Sequence, residues 1–472
     1  MRLQSLRLDA TRYRLDVAVV AVGIAYMLVT GWAMVNMEYE TWGALVAIPF
    51  IVAVMVPTIH HAFRDHVAIA RIAYVGLAAK VLGTFARYWV AFDAYGGAAD
   101  AQAYHDLGSI YAGQIRSGDV PPWTIVPTGQ GTEFIQHLTG TIYTFVGSSK
   151  LAGFMWFSAI GFGGVLLCIK AAIIAVPTLS HTRYALLCCL SPSLVFWPSS
   201  IGKEAWMSLV LGALCYGTAR LFAGRGLLRP LLWTTAGAVG ALLVRPHIAA
   251  VWVGAAVAAA AWSVIGSRTD RSTGRSTNVA LMVVGLAGLT AVARVAIKFL
   301  GDLSRTEGTE SVSSQLNNAF DLTLKRTAGG GSEFVPPSVA SPLDYPLAVL
   351  RTLTRPLLNE VTGLSTLLPA LETTAIIILA VVGVRRLMSL PGMLRRSPFT
   401  VFHVLIVVLG ALAYSSFSNL AILVRQRSLL MPSLLFILCL PLYFTPNRPG
   451  PSSQAQGLDQ ASQHGRAARV NA

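Results

Sequence analysis

Carboxylate side chains gather in one polar segment of the chain, FDAYGGAADAQAYHDLG, which directly follows a long apolar run. Its titratable members are Asp93, Asp100, His105 and Asp106. A carboxylate at the boundary of a membrane is partly desolvated, so it can accept a proton from a sugar hydroxyl or hold a cation. We predict that at least one of the three aspartates is catalytic and that His105 binds substrate beside them. The alternative is that these acids are solvated and have no chemical role.

Basic side chains interrupt the apolar runs at two other turns. In FWPSSIGKEAW, Lys203 and Glu204 follow a turn whose N–H groups, at the start of the next helix, suit a phosphate. In LLVRPHIAAVW, Arg245 and His247 lie on a short turn, where an arginine close to hydrocarbon needs a carboxylate or phosphate partner. We predict substrate binding at both turns. The alternatives are a topological stop at the first turn and snorkelling to lipid headgroups at the second.

Two further segments combine arginine with polar partners. RTLTRPLLNEV contains Arg355 and Glu360, and SNLAILVRQRSLLMP contains Arg425 and Arg427. Two planar guanidinium groups can clamp a pyrophosphate bidentately, which lysines cannot do. We therefore predict that Arg425 and Arg427 bind substrate as a pair, and that Arg355 and Glu360 contribute to the same site.

The sequence contains no paired spacing of metal ligands such as H-x-x-x-H or C-x-x-C. It also lacks a Walker motif and a dinucleotide-binding glycine pattern, which argues against a nucleotide-driven pump. The five cysteines fall inside apolar runs and are interpreted as small packing residues. We predict no cofactor and no metal site; a divalent metal ion is an alternative that no spacing supports.

The elements that position these residues are predicted to be transmembrane helices. Hydrophobic residues make up 54% of the chain and charged residues 12%, whereas soluble domains carry roughly 25% charged residues. Apolar runs of about 17 to 26 residues match the length that a helix needs to cross a bilayer. We predict an all-α polytopic bundle of about twelve spans, at residues 16–36, 42–58, 67–92, 151–176, 184–199, 204–221, 228–244, 246–266, 279–300, 364–384, 399–418 and 428–445.

The net charge of +15 follows the topology and does not indicate nucleic acid. With the N-terminus in the cytoplasm, the shorter loops on that side carry most of the arginines, as the positive-inside rule requires. This predicts a multi-pass protein of the inner (plasma) membrane, in contact with membrane lipids and with both termini cytoplasmic. Two longer loops, 93–150 and 301–363, are predicted to be extracytoplasmic. Residues 1–445 form one transmembrane domain, and the Ser-, Gln- and Gly-rich tail 446–472 is predicted to be disordered.

Five short motifs occur in a fixed order along the chain: DAQAYHD from Asp100, FWPSSIGKE from Phe196, RPH from Arg245, Arg355 and Pro356 leading to Glu360 and Glu372, and RQR from Arg425. With these motifs, the chain resembles the polytopic proteins of bacterial cell-surface polysaccharide clusters over about residues 70–445. Those proteins are similar to GT-C-type membrane glycosyltransferases. The resemblance implies a sugar donor on polyprenyl phosphate, a cell-envelope glycan as acceptor, an acidic residue of the first outer loop acting at the acceptor, and transfer on the extracytoplasmic side.

Glycosyl transfer from a lipid phosphate needs chiefly a carboxylate that deprotonates the acceptor hydroxyl and cations that stabilise the leaving phosphate. Our hypothesis is that Asp100 or Asp106 is the general base and that Glu360 orients either the sugar or one of the arginines. The expected phosphate ligands are Lys203, Arg245, Arg425 and Arg427.

Two alternatives use the same polar residues differently. A polysaccharide polymerase, of the O-antigen or exopolysaccharide type, would hold a lipid-linked chain with these arginines and move it onto a repeat unit. A flippase for lipid-linked sugars, or another transporter, would need polar residues through the middle of the membrane, where the sequence offers only Lys80 and Lys170.

Overall fold

The computed structural model describes most of the chain as helices joined by short turns. It describes residues 2–97, 100–121, 130–266, the isolated positions 288, 290 and 294, and 323–442 except 326, 330, 331, 338, 340 and 362. Within these residues there is no β-strand. The predicted span 279–300, with the exception of those isolated positions, and the predicted tail 446–472 lie outside the described residues.

Helices of very different length alternate along the chain. Their bounds are α1 Arg2–Asn36, α2 Tyr39–Phe63, α3 Val67–Trp89, α4 Asp100–Ser117, α5 Thr132–Val146, α6 Lys150–Ala175, α7 His181–Leu190, α8 Pro192–Phe196, α9 Lys203–Phe222, α10 Leu228–Val244, α11 Pro246–Gly266, α12 Tyr345–Thr354, α13 Leu364–Val382, α14 Val384–Leu387, α15 Leu390–Arg396, α16 Pro398–Tyr414, α17 Leu420–Arg427 and α18 Met431–Leu438. A π-helical turn, Val90–Ala94, extends α3.

Five helices in the described part of the chain are long and apolar enough to cross a membrane. Two bent pairs raise the number to seven if each pair is a single span: α13 with the helices after it, bent by 71°, and α17 with α18, bent by 67°. The apolar helices indicate a membrane protein and a helical bundle. The predicted total of about twelve spans and the two long outer loops stay predictions.

Some helix ends agree with the predicted spans and others do not. The predicted spans 228–244 and 246–266 have the same bounds as α10 and α11, because Pro246 is a natural first residue of a helix. The predicted span 184–199 is instead divided into α7 and α8 at Ser191 and Pro192. Proline lacks an N–H and disfavours the helical conformation of the residue before it.

The centre of the bundle is α6, which packs against α2, α3 and α9. Glycines allow the backbones of α6 and α9 to touch. A Cβ atom on Gly164 would lie 2.0 Å from the carbonyl oxygen of Ser208, and one on Gly212 would lie 2.4 Å from the carbonyl oxygen of Gly164. Small residues at such crossings allow the close packing that stabilises helices in membranes.

Two sets of contacts between turns identify the two ends of the bundle. At one end, named here the cluster end, Arg425 reaches Asp100 and Arg245 reaches Glu204. At the opposite end, Lys170 and Arg386 donate to the carbonyl oxygens of Ala62 and Leu440. The residues named at the cluster end lie in or beside turns predicted to be extracytoplasmic, whereas Ala62 and Arg386 lie in turns predicted to be cytoplasmic.

Candidate functional site

Glu204 is the centre of a buried ionic network at the cluster end. Its side chain is 3% exposed. Its Oε1 atom accepts hydrogen bonds from Arg245 Nη2 at 2.6 Å and from Arg425 Nε at 2.7 Å, and its Oε2 atom accepts one from Arg425 Nη2 at 3.0 Å. A buried carboxylate is tolerated when charged partners and hydrogen bonds compensate its lost hydration. The two arginines provide that compensation.

Arg425 extends this network to the first polar segment. Its Nη1 and Nη2 atoms each lie 3.2 Å from Oδ2 of Asp100. The Asp100 side chain is 62% exposed, whereas that of Glu204 is buried. The guanidinium group of Arg425 therefore links the exposed carboxylate of Asp100 with the buried carboxylate of Glu204. We call Asp100, Glu204, Arg245 and Arg425 the ionic cluster.

Local sequence explains how the helix ends bring these residues together. Asp100 is the first residue of α4, where a negative charge interacts favourably with the helix dipole. Arg245 lies between Val244, the last residue of α10, and Pro246, the first residue of α11. Its Nη1 atom also donates to Oε1 of Gln426 at 2.7 Å, which ties the turn between α10 and α11 to α17.

Lys203 and His247 lie beside the ionic cluster. Lys203 is the first residue of α9, and its Nζ atom donates to Oγ1 of Thr132 at 2.9 Å. It interacts electrostatically with every member of the ionic cluster. His247, on the first turn of α11, interacts electrostatically with Arg245 and Lys203. Of the twelve side chains predicted to form the site, the structure thus brings six into one region: Asp100, Lys203, Glu204, Arg245, His247 and Arg425.

Tyr104 belongs to the same region, although its role was not predicted from the sequence. It lies four residues after Asp100, so the two side chains share a face of α4. Burial, followed by the nearby Asp100 and Glu204 carboxylates, raises the pKa of Tyr104 to about 12. The phenol is 2% exposed and is hydrogen-bonded to Thr132, so it keeps its proton at neutral pH and packs within this region. The signal in the sequence was the helical spacing of Asp100 and Tyr104.

The remaining residues of the first polar segment lie elsewhere. His105 forms a hydrogen bond of 2.8 Å through Nδ1 with the hydroxyl of Tyr143, and burial lowers the pKa of His105. Asp106 is exposed and accepts a hydrogen bond of 2.7 Å from Gln102. Asp93 is exposed on the π-helical turn that follows α3. The described contacts do not connect these three side chains to the ionic cluster.

The structure does not bring Arg425 and Arg427 together as a clamp. Arg427 is 1% exposed, donates to the carbonyl oxygens of Leu353, at 3.0 Å, and Arg355, and donates to Oγ1 of Thr373 at 2.9 Å. Two residues along a helix turn the side chain by about 200°. Because both arginines are on α17, they face opposite sides, and Arg427 packs the chain after α12 against α13.

Arg355 and Glu360 form a separate ion pair. Arg355 Nε lies 3.0 Å from Glu360 Oε1, and its guanidinium carbon lies 5.0 Å from the ring centre of Phe334. The second oxygen of Glu360 accepts a hydrogen bond from the backbone N–H of Leu357. Each partner is therefore satisfied locally, and the described contacts do not join this pair to Glu204 or Asp100.

Among the described residues, no group of three or more His, Cys, Asp or Glu side chains could hold a metal ion. The cluster end offers carboxylates, guanidinium groups, a lysine, an imidazole and a phenol. Comparison with models of protein families, with curated proteins and with solved structures found no match to this chain.

Proposed function

We propose that this protein is a membrane glycosyltransferase, which moves a sugar from a polyprenyl-phosphate donor to a cell-envelope glycan on the extracytoplasmic face of the plasma membrane. One observation carries the proposal: the exposed carboxylate of Asp100 is held by Arg425 beside Lys203 at one end of an apolar helical bundle. The reaction needs a base and cations within reach of one another, and this region offers both.

The proposed reaction requires one proton transfer and one displacement. Asp100 accepts the proton of an acceptor hydroxyl, whose oxygen attacks the anomeric carbon of the donor sugar. The bond from that carbon to the phosphate oxygen breaks, and polyprenyl phosphate leaves with the electron pair. Negative charge increases on the phosphate during this step, so a nearby cation stabilises the transition state more than the ground state.

Lys203 is suited to the leaving phosphate because its described hydrogen bond goes to the neutral hydroxyl of Thr132 and not to a carboxylate. Arg425 has a different role, since both carboxylates occupy its guanidinium group. We assign it the positioning of Asp100. Arg245 and Glu204 in turn hold Arg425, because Arg245 and Arg425 both bind Glu204.

Asp100 is a better candidate for the base than Asp106. Both carboxylates are exposed on α4, but Asp100 is bound by a residue of the ionic cluster, whereas Asp106 is bound by Gln102 of its own helix. Tyr104, which is 2% exposed and hydrogen-bonded to Thr132, packs beneath Asp100 and supports its position on α4.

The proposed orientation follows from the charges at the two ends of the bundle. Four arginines follow α13 near the opposite end: Arg385, Arg386, Arg395 and Arg396. The positive-inside rule favours a cytoplasmic location for such a group. This supports cytoplasmic termini and an extracytoplasmic cluster end.

The two aspartates of α4 provide a matched test. Asp100→Asn removes the proposed base and is expected to lower glycan extension by about a hundredfold or more, whereas Asp106→Asn is expected to leave it within about twofold because the described contacts of Asp106 lie outside the cluster. Glycan length is measured in cells that carry each variant in place of the native protein, and immunoblots of membranes check abundance. Normal glycan extension with Asp100→Asn at native abundance would refute the proposal.

The two rival functions predict different lipid-linked intermediates in cells that lack the protein. A transferase leaves its donor, the single sugar on polyprenyl phosphate, unused, whereas a polymerase leaves completed single repeat units. A flippase or other transporter leaves the lipid-linked sugar on the cytoplasmic side. Mass spectrometry of the lipid extract, combined with a test of whether the sugar is accessible from outside, distinguishes these three results.

A further inference from the structure

Arg87, near the end of α3, lies at the edge of the ionic cluster and forms no ion pair with a carboxylate of the described residues. It interacts electrostatically with Arg425, Glu204 and Asp100. Its Nε atom is buried and has no hydrogen-bond partner among the described residues. A buried donor left unpaired is costly, so an acceptor bound at this position would be stabilising.

Two aromatic rings hold the guanidinium group of Arg87 in place. Its central carbon lies 5.2 Å from the ring centre of Phe196 and 5.1 Å from that of Trp197. Contacts of this length are cation–π interactions, which use the faces of the guanidinium plane. The edge of the plane, where the N–H groups point, is left available for an acceptor.

The segment that carries these rings is itself fixed on both sides. Glu372 accepts hydrogen bonds from the hydroxyl groups of Ser191 and Ser193 and, at 3.0 Å, from the backbone N–H of Ser193. On the other side, a Cβ atom on Gly83 of α3 would lie 2.7 Å from the carbonyl oxygen of Val195, so the two backbones are in contact. The aromatic pair is therefore positioned before any ligand arrives.

The charges of this region leave an excess of two positive charges. The cations are Arg87, Lys203, Arg245 and Arg425, and the acids are Asp100 and Glu204. Arg245 and Arg425 are hydrogen-bonded to the acids, so the excess is on Arg87 and Lys203. A group with two negative charges would balance it, and a phosphate monoester carries up to two.

The position of α3 favours a phosphate on a lipid chain over a free phosphate ion. Leu82, Phe85 and Trp89, on the face of α3 that points away from Arg87, are all exposed. In a protein with apolar helices of this length, such a face contacts lipid. This face points away from Arg87, so it indicates that α3 borders lipid at the depth of Arg87; a lipid phosphate at that depth would be level with the guanidinium group.

We propose that Arg87 binds the phosphate group of an isoprenyl phosphate, with Phe196 and Trp197 fixing its orientation. This inference rests on the proposed function, to which it adds a second phosphate-binding residue beside Lys203. In that reaction the donor phosphodiester carries one negative charge and the leaving polyprenyl phosphate up to two, so Arg87 and Lys203 match the leaving group better than the donor.

The test measures binding of farnesyl phosphate to the full-length protein in phosphatidylcholine nanodiscs by calorimetry, without any transfer. Arg87→Met is expected to weaken binding by about tenfold or more, and Arg87→Lys by a few fold, since an ammonium group keeps the charge but loses the planar donor pair. The matched control is Arg71→Met, because Arg71 is exposed on the same helix about 24 Å away. This control is expected to bind as the native protein does.

Two further probes identify which part of the ligand matters. Farnesol, which lacks the phosphate, and inorganic phosphate, which lacks the chain, are both expected to bind far more weakly than farnesyl phosphate. Inorganic phosphate that binds as tightly would overturn the assignment to a lipid, and farnesol that binds as tightly would overturn the anion site.

The two proposals can fail separately. A folded Arg87→Met protein that binds farnesyl phosphate with native affinity overturns the role of Arg87; if that variant does not fold, native affinity of Arg87→Lys does so. If binding depends on Arg87 but cells carrying Arg87→Met extend their glycan normally, the phosphate site stands and the proposed transferase function fails.

Discussion

Arg245 and Arg425 donate hydrogen bonds to the same atom, Oε1 of Glu204, at 2.6 and 2.7 Å. The two arginines are far apart in sequence and reach this oxygen from the turn after α10 and from α17. Their positive charges would repel each other without the carboxylate between them. Glu204 is thus the residue that makes the ionic cluster possible.

Removal of Glu204 is therefore expected to destabilise the fold. Glu204→Ala leaves the buried guanidinium group of Arg245 facing the partly buried one of Arg425, and loss of one partner of a buried pair costs about 3–5 kcal/mol. The control is Glu360→Ala, whose ion pair with Arg355 is more exposed and contributes about 1 kcal/mol or less. Thermal unfolding of detergent-purified protein measures both; equal shifts in Tm would contradict the central role of Glu204.

The crossing of α6 and α9 gives a matched pair of glycine substitutions. Gly164→Ala places a methyl group 2.0 Å from the carbonyl oxygen of Ser208, so the helices must separate, at a cost of about 1–3 kcal/mol or more. Gly163→Ala meets its nearest atom, on Leu209, at 3.5 Å, which is an ordinary contact. We expect a large fall in Tm for the first and little change or a small rise for the second. Similar falls for both would show that helix flexibility, not close packing, determines the effect.

Arg425 and Arg427 are expected to respond oppositely in activity and stability. Arg427→Met leaves the carbonyl groups of Leu353 and Arg355 without their donor, at about 1–3 kcal/mol for each buried group, so membrane abundance and Tm should fall. Arg425→Met leaves Glu204 paired with Arg245, so the protein should remain folded while glycan extension is lost. A fully stable Arg427→Met protein with no glycan extension would instead support a substrate role for Arg427.

His105 is expected to make stability depend on pH. Because burial holds the pKa of His105 below its ordinary value of 6.5 in the folded protein, the folded state takes up a proton less readily than the unfolded state. This contribution is complete above about pH 6.5, declines below that value, and is lost as the pH falls through the lower pKa of the folded state. His105→Gln should flatten the decline of Tm below pH 6.5, whereas His60→Gln, at an exposed position, should not. An unchanged pH profile in His105→Gln would refute this.

Lys80 distinguishes a transferase from a transporter. It is buried near the middle of α3, its Nζ atom donates to Oγ of Ser199 at 3.2 Å, and it lines a cavity of about 30 Å³ with Thr84 and Ser158. Lys80→Met keeps the length of the side chain but removes its charge. We expect native glycan extension and equal or higher Tm, because a lone buried ammonium group is costly. Loss of glycan extension at native abundance would favour a polar path through the membrane.

Much of the architecture was predictable because it depends on local properties of the chain. The length of an apolar run determines whether a helix can cross a bilayer, so the bounds of α10 and α11 followed from the sequence. Because charged residues are rare beside such runs, the sequence also predicted Lys203, Glu204, Arg245 and Arg425 as site residues. Local patterns were weaker where proline interrupts a run, as at Pro192, since they do not show whether a span continues after the break.

The partners of the charged residues were decided by tertiary structure. Arg425 and Arg427 are the same residue type and lie two positions apart on α17. Arg425 nevertheless binds Glu204 and Asp100, whereas Arg427 binds the end of α12. Asp100 and Asp106 are separated in the same way by the turn of α4. The sequence by itself determined which charges lie near the membrane; only the packing of helices distant in sequence determined which charges meet, because a side chain's direction depends on helix phase and its neighbours on how the helices cross.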